Sequence, residues 1–172
     1  MKFIVFSGIP GTGKSALAEA VGRELAIPVF AKDWLEATIL RGGLTQGDPE
    51  KPLGVTGYEL LTTLANRQLS LGQSIILDSV ASTESIRATW RALADGFGAQ
   101  WRVIECICSD TVLHRKRLDG RKRGIPGWYE LEWDQVETVK SHFVEWEETR
   151  LILDAADPFE KNLTSVVEYC RK

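Results

Sequence analysis

The chain has 172 residues, 26% of them charged, and a formal net charge of −3. That length suits one domain with a full core, residues 1–172, and the ordinary composition speaks against a disordered or fibrous class. Mild acidity argues against non-specific nucleic-acid binding by the whole surface, and no apolar run approaches the roughly 18 residues of a membrane span.

Strand and helix patterns alternate from end to end, which predicts an α/β fold with a parallel sheet covered on both faces. Lys2–Ser7 reads as the first strand and leads straight into a loop, so no cleavable signal peptide is expected. The loop, Gly8-Ile9-Pro10-Gly11-Thr12-Gly13-Lys14-Ser15, fits G-x-x-x-x-G-K-[ST] in full. A helix follows from Lys14 to about Ala26, with Leu17, Val21 and Leu25 on one stripe. Strand, loop and helix in this order form a phosphate cradle: glycines turn backbone N–H groups inward, and the helix adds its unpaired amides. Lys14 would reach the β/γ-phosphates of a nucleotide and the Ser15 hydroxyl would ligate Mg²⁺, so residues 8 to 16, through Ala16, are the expected cofactor-binding set. A glycine-rich turn that binds nothing is the alternative, and the flanking strand and helix weigh against it.

A short second strand is expected near Val29–Ala31, then a helix through Leu40 that Asp33 could cap. Asp33 equally suits a general base facing the γ-phosphate, and both readings stay open. Residues Gly42–Gly57 hold five glycines and two prolines and read as a loop, with a helix from Tyr58 to Leu71 after it. The third strand, Ser74–Asp78, ends in an acid where open parallel sheets place their ligands, which suits Asp78 to a metal. Ser82 or Thr83 caps a helix ending near Gly96–Gly98, and Trp101–Cys108 is the fourth strand.

Cys106 and Cys108, two apart in that strand, point the same way; with Cys170 they read as reduced core cysteines of a cytoplasmic protein. His114 and His142 lack metal-ligand spacing and read as packing residues. Asp110 opens a basic helix, and His114–Arg123 holds six basic residues in ten. Arg117 and Arg121, four apart, share a helical face, and Arg123 lies on a Gly-Ile-Pro-Gly flap that could close over a phosphoryl group. Asp134 caps a helix through about Glu147, Arg150–Leu153 is the fifth strand, and Pro158–Tyr169 the last helix. Trp34 and Trp128 fall in cleft-facing segments, Trp101, Trp133 and Trp146 read as packing, and Glu147-Glu148 as a solvated face.

With these residues in order, the chain resembles the P-loop kinases of the AAA_33-type, zeta toxin-like and chloramphenicol phosphotransferase-like group, which includes polynucleotide 5′-kinase domains. The resemblance covers the loop, Asp33, Ile76-Leu77-Asp78-Ser79, the arginine-rich run and Asp157-Pro158. It implies a three-layer α/β/α P-loop NTPase fold with strand order 2-3-1-4-5 and a small lid over ATP at about residues 115–130. It further implies Asp33 as catalytic base, Lys14 in the ATP cradle, Arg117 and Arg121 as lid arginines, and Asp157 and Pro158 beside adenine. The expected activity is Mg²⁺- and ATP-dependent phosphoryl transfer to a hydroxyl of a small molecule. A polynucleotide 5′-hydroxyl kinase and a non-catalytic nucleotide switch are the alternatives, although the Asn-Lys-x-Asp segment of GTP-type switches is missing. Neither the acceptor nor the oligomeric state is written in the chain.

Overall fold

The computed structural model describes residues 1–43 and 53–172. In chain order the elements are β1 (Lys2–Ser7), α1 (Lys14–Leu25), β2 (Val29–Ala31), α2 (Lys32–Arg41), α3 (Leu53–Ser70), β3 (Ile75–Asp78), α4 (Glu84–Gly96), β4 (Gln100–Ile107), α5 (Thr111–Asp119), α6 (Trp133–Ser141), β5 (Leu151–Asp154) and α7 (Phe159–Arg171). The five strands pair in parallel in the order β2-β3-β1-β4-β5, as the resemblance implied.

The strands are mostly apolar because both faces of the sheet are covered, with Arg102 and Glu105 the exceptions inside β4. Alternation along β1 sends Phe3 and Val5 to one face, where they meet Leu61, Leu69 and Trp90 of α3 and α4. Ile4 and Phe6 go to the other, against Leu17 and Val21 of α1 and Val166 of α7. Pairing in register aligns Phe6 with Asp78 and Ala31 with Asp78, so β1, β2 and β3 end at one edge. Gly8, Asp33 and Asp78 are thereby brought to that edge from three separate stretches of chain.

Several elements differ from the sequence reading. α3 starts at Leu53, not Tyr58; of the predicted loop the described residues show a turn at Gly42–Gly43, and residues 44–52 lie outside the described residues. Gly57, read there as a loop residue, serves close packing: a Cβ on it would meet Glu36 Oε1 at 2.6 Å, so α3 can lie against α2 only without one. α6 ends at Ser141, and its cap is Glu132 in a reciprocal capping box with Gln135, which leaves Asp134 inside the first turn. Thr83 occupies the position before α4 but its side chain makes no cap bond.

Beyond α6 the chain runs without regular structure to β5, held by Arg87. This fully buried arginine donates to the carbonyls of Ala81 (2.8 Å), Val144 (2.6 Å) and Glu145 (3.0 Å) and lies 3.9 Å over the Trp146 ring. Trp146 Nε1 in turn donates to Ser7 Oγ at 3.0 Å, and Ser7 to the Val80 carbonyl at 2.7 Å. Glu148 is no solvated acid either: it accepts from Trp101 Nε1 and Arg91. Cys106 is in the core, its thiol pushed up to about 12 by burial, whereas Cys108 follows the end of β4 and is half-buried. The two therefore do not share the buried face expected of them.

Candidate active site

The phosphate loop is shaped by backbone before any ligand arrives. Gly8 and Gly11 take φ of 138° and 89°, and each has a neighbour where a side chain would go. A Cβ on Gly8 would strike the Cys106 carbonyl oxygen, and one on Gly11 would sit 2.8 Å from His114 Nε2. The Thr12 hydroxyl donates to the Ile9 carbonyl at 2.9 Å, closing the turn. Gly13 stands at the N-cap of α1 with no side-chain cap, so the first amides of the helix keep their hydrogen-bonding capacity for an anion.

His114, read as a packing residue, packs on this loop. It is buried, its Nε2 is 2.7 Å from the Pro10 carbonyl, and its ring meets Trp133 edge-on at 5.1 Å. A carbonyl only accepts, so Nε2 carries the hydrogen. The loop is thus tied to the start of both α5 and α6.

Lys14 and Asp78 are 8% and 5% exposed. Burial raises the Asp78 carboxyl above its ordinary range, and the Lys14 ammonium and Ser15 hydroxyl beside it only partly offset this. Its Oδ1 has no hydrogen-bond partner, nor has the neighbouring Ser79 Oγ. A buried, unpartnered carboxylate oxygen beside a hydroxyl suits a hard cation such as Mg²⁺. Among the described residues no three His, Cys, Asp or Glu side chains cluster as metal ligands, so phosphate oxygens and water would complete that cation's shell around Ser15 and Asp78.

Asp33 is not the helix cap. Ala31 holds that position and Asp33 lies in the first turn of α2, where the helix dipole favours its charge. Its carboxylate pairs with Arg123. Asp33 borders two adjoining cavities of about 240 and 180 Å³; Asp78 and Arg123 border both as well, while Lys14 lines the first and Ser15 the second. Trp34, 44% exposed, borders the smaller one.

The arginines separate. Because α5 stops at Asp119, Arg117 and Arg121 do not share its face. Arg117 donates to the Ala155 carbonyl at 2.6 Å, which ties the end of α5 to the loop before α7. In that loop Asp157 pairs with Lys161 at the surface and Pro158 caps α7. Arg121 turns into the cleft and faces Glu130 at 3.3 Å. Arg123 makes two contacts to the same glutamate, through its backbone N–H at 2.8 Å and its Nε at 3.3 Å.

Sequence reasoning placed Arg123 on the flap and Ser79 beside Asp78 without giving either a role, and left Lys32 and Glu36 outside the site. Lys32 and Glu36 form a buried ion pair on the cleft wall, with the ammonium 4.7 Å over the Tyr58 ring. Burial raises the Glu36 carboxyl, an effect Lys32 partly offsets. Their i,i+4 spacing was visible in the sequence, but nothing there showed that α3 would cover them. Trp128, expected to face the cleft, does so, stacked on Tyr129 at 4.7 Å.

Known proteins share this architecture. The uncharacterized proteins Rv2004c of Mycobacterium tuberculosis and Mb2027c of Mycobacterium bovis are each 30% identical over 121 residues, 65% of this chain; the match spans only 24% of their own length. Among solved structures, a candidate kinase from Chloroflexus aurantiacus superposes with a TM-score of 0.76 at 22% identity, covering 99% of this chain and 96% of that one. A sugar kinase from Janibacter sp. gives 0.73 at 15% identity, with 99% and 95% covered. Kti12 of Chaetomium thermophilum, in complex with ADP-AlF3, gives 0.71 at 17%, with 98% and 96% covered. At such identities the likeness is one of fold, a P-loop kinase fold. A family model described as an AAA domain matches residues 3–145, which takes in the loop, Asp33, Asp78 and the arginine flap, and this chain belongs to that AAA_33 family.

Proposed function

We propose that this chain is a Mg²⁺- and ATP-dependent phosphotransferase that moves the γ-phosphate of ATP to a hydroxyl of a small molecule. The observation that carries the reading is the placement of Asp33 on the same two cavities as Asp78, with Lys14 on one and Ser15 on the other. A carboxylate there faces whatever lies between a bound γ-phosphate and the flap.

Lys14 and the loop amides hold the β/γ-phosphates; Ser15 and Asp78 would hold Mg²⁺, which when bound would supply charge neutralisation of the phosphate oxygens. Arg117, tied to the loop before α7 through the Ala155 carbonyl, borders the nucleoside end together with Asp157 and Pro158 of that loop. Asp33 gives up Arg123 and accepts the acceptor's hydroxyl proton while the oxygen attacks phosphorus and the bond to the β-phosphate breaks. Arg123, released from Asp33, turns to the transferring phosphoryl, and residues 115–130 act as the lid that excludes water.

A screen for transfer of labelled γ-phosphate to hydroxyl-bearing metabolites, antibiotics and oligonucleotide ends tests this. Labelled small molecules support it. Label on oligonucleotide ends would replace it with an end kinase, and nucleotide binding with no transfer to any acceptor would replace it with a switch.

A further inference from the structure

The proposed transfer employs Arg123 but leaves the donors of Arg121 and Trp128 beside it without a task. Arg121 Nη2, Arg123 Nη2 and Trp128 Nε1 are buried, none has a hydrogen-bond partner among the described residues, and all three residues line the 240 Å³ cavity. A buried donor left unpaired forfeits its hydration without replacement, and a charged one more so; three on one short flap signal a ligand that satisfies them. Guanidinium and indole nitrogens donate and never accept. What they meet must present oxygens with lone pairs, and two neighbouring guanidinium groups select a negative charge.

Position separates this anion from the nucleotide's. Arg123 borders both cavities and pairs with Asp33, which suits it to the transferring group. Of these two cavities Arg121 and Trp128 border the larger alone, which Lys32, Glu36, Leu53 and Gly54 of α2 and α3 also line. There Lys32 is already paired with Glu36, whereas the Arg121 and Trp128 donors are free, so a ligand with a hydroxyl for Asp33 and a negative charge would lie with its charge on the flap. The cavity is smaller than the roughly 300–1,000 Å³ that drug-sized ligands occupy.

Resting on the kinase reading above, we infer that the phosphoryl acceptor is a compact hydroxyl compound that carries an oxyanion of its own, a carboxylate or a phosphate, bound by Arg121 and Trp128. The hydroxyl end lies at Asp33 and the anionic end at the flap.

Matched acceptors test this: glycerol, glycerate and glycerol 3-phosphate, then glucitol, gluconate and glucose 6-phosphate, each assayed for transfer of labelled γ-phosphate by the full chain with Mg-ATP. The expected result is a kcat/KM at least tenfold higher for a charged member than for its neutral partner; carboxylate and phosphate members identify which oxyanion is read. Trp128→Phe, which keeps the ring and removes the N–H, should cut that preference about threefold or more, and Arg121→Lys further, both with KM for ATP unchanged. Equal or better transfer to the neutral members overturns the inference and leaves the kinase reading standing. So does loss of ATP affinity in Arg121→Lys with the preference intact, because the donors would then serve the nucleotide. Transfer to none of these six but to a neutral compound of the wider screen also overturns the inference alone; bound AMPPNP with no transfer to these or to any acceptor of the wider screen, in a chain that melts cooperatively, would overturn both.

Discussion

The phosphate loop and the arginine flap both present positive charge to one cleft, and they do it by opposite means. In the loop the donors are backbone amides, held by glycine dihedrals, the Thr12–Ile9 bond and the His114–Pro10 contact. In the flap they are long side chains on non-helical backbone, held by Asp33 and Glu130. Backbone donors need no reorganisation when an anion arrives; side chains tied in ion pairs can exchange one carboxylate for another ligand. The loop is built to bind, and the flap to change partners.

If that division holds, changes in the loop should move nucleotide affinity and changes around the flap should move turnover. Lys14→Ala has the largest expected effect, a loss of Mg-ATP affinity of about a hundredfold or more in a calorimetric titration. Unchanged affinity would remove the loop from the function. Next, Asp33→Asn should spare ATP binding and lower acceptor phosphorylation by roughly a hundredfold. A turnover that barely moves would leave Asp33 as no more than a partner for Arg123.

Asp78→Asn separates metal from fold. Burial raises this carboxyl in the folded chain above its unfolded value, so its contribution to stability is intact below the ordinary carboxylate range and falls as pH rises through and beyond it. Relative to the parent, the asparagine variant should lose less Tm between about pH 4 and 7 in the absence of nucleotide, while Mg²⁺ no longer strengthens nucleotide binding. A Tm–pH slope identical to the parent's would mean that the carboxyl is not buried as described. The smallest effect belongs to His114. His114→Ala should weaken ATP binding by roughly threefold to tenfold, and His114→Gln, whose amide can still donate to the Pro10 carbonyl, should recover most of it. Equal losses in both would reduce the contact to ring packing against Trp133.

The legibility of the site follows the same division. Gly8 to Ser15 could be read because a phosphate cradle constrains consecutive residues, and Asp33 and Asp78 because strand ends are local features. The shared face expected of Arg117 and Arg121 failed for a local reason too. Four-residue spacing implies a shared face only while the helix lasts, and α5 ends at Asp119. Lys32 and Glu36 looked like an ordinary helical pair; α3 buries them, and it begins five residues earlier than its glycines suggested. Nothing in its sequence neighbourhood sets Arg87 apart; the segment after α6 buries it and supplies its carbonyl partners.

By itself the chain determined the alternation of strands and helices, the two-faced sheet and the phosphate loop, because these depend on periodicity and on dihedrals of neighbouring residues. Only the tertiary structure decided which charges meet: Asp33 with Arg123 across 90 residues, Arg87 with the carbonyls of Val144 and Glu145, and the cavity where Arg121 and Trp128 keep donors unpaired. A long side chain has many reachable partners within its rotamers, and which one it takes is settled by the burial of the whole molecule rather than by its neighbours in sequence.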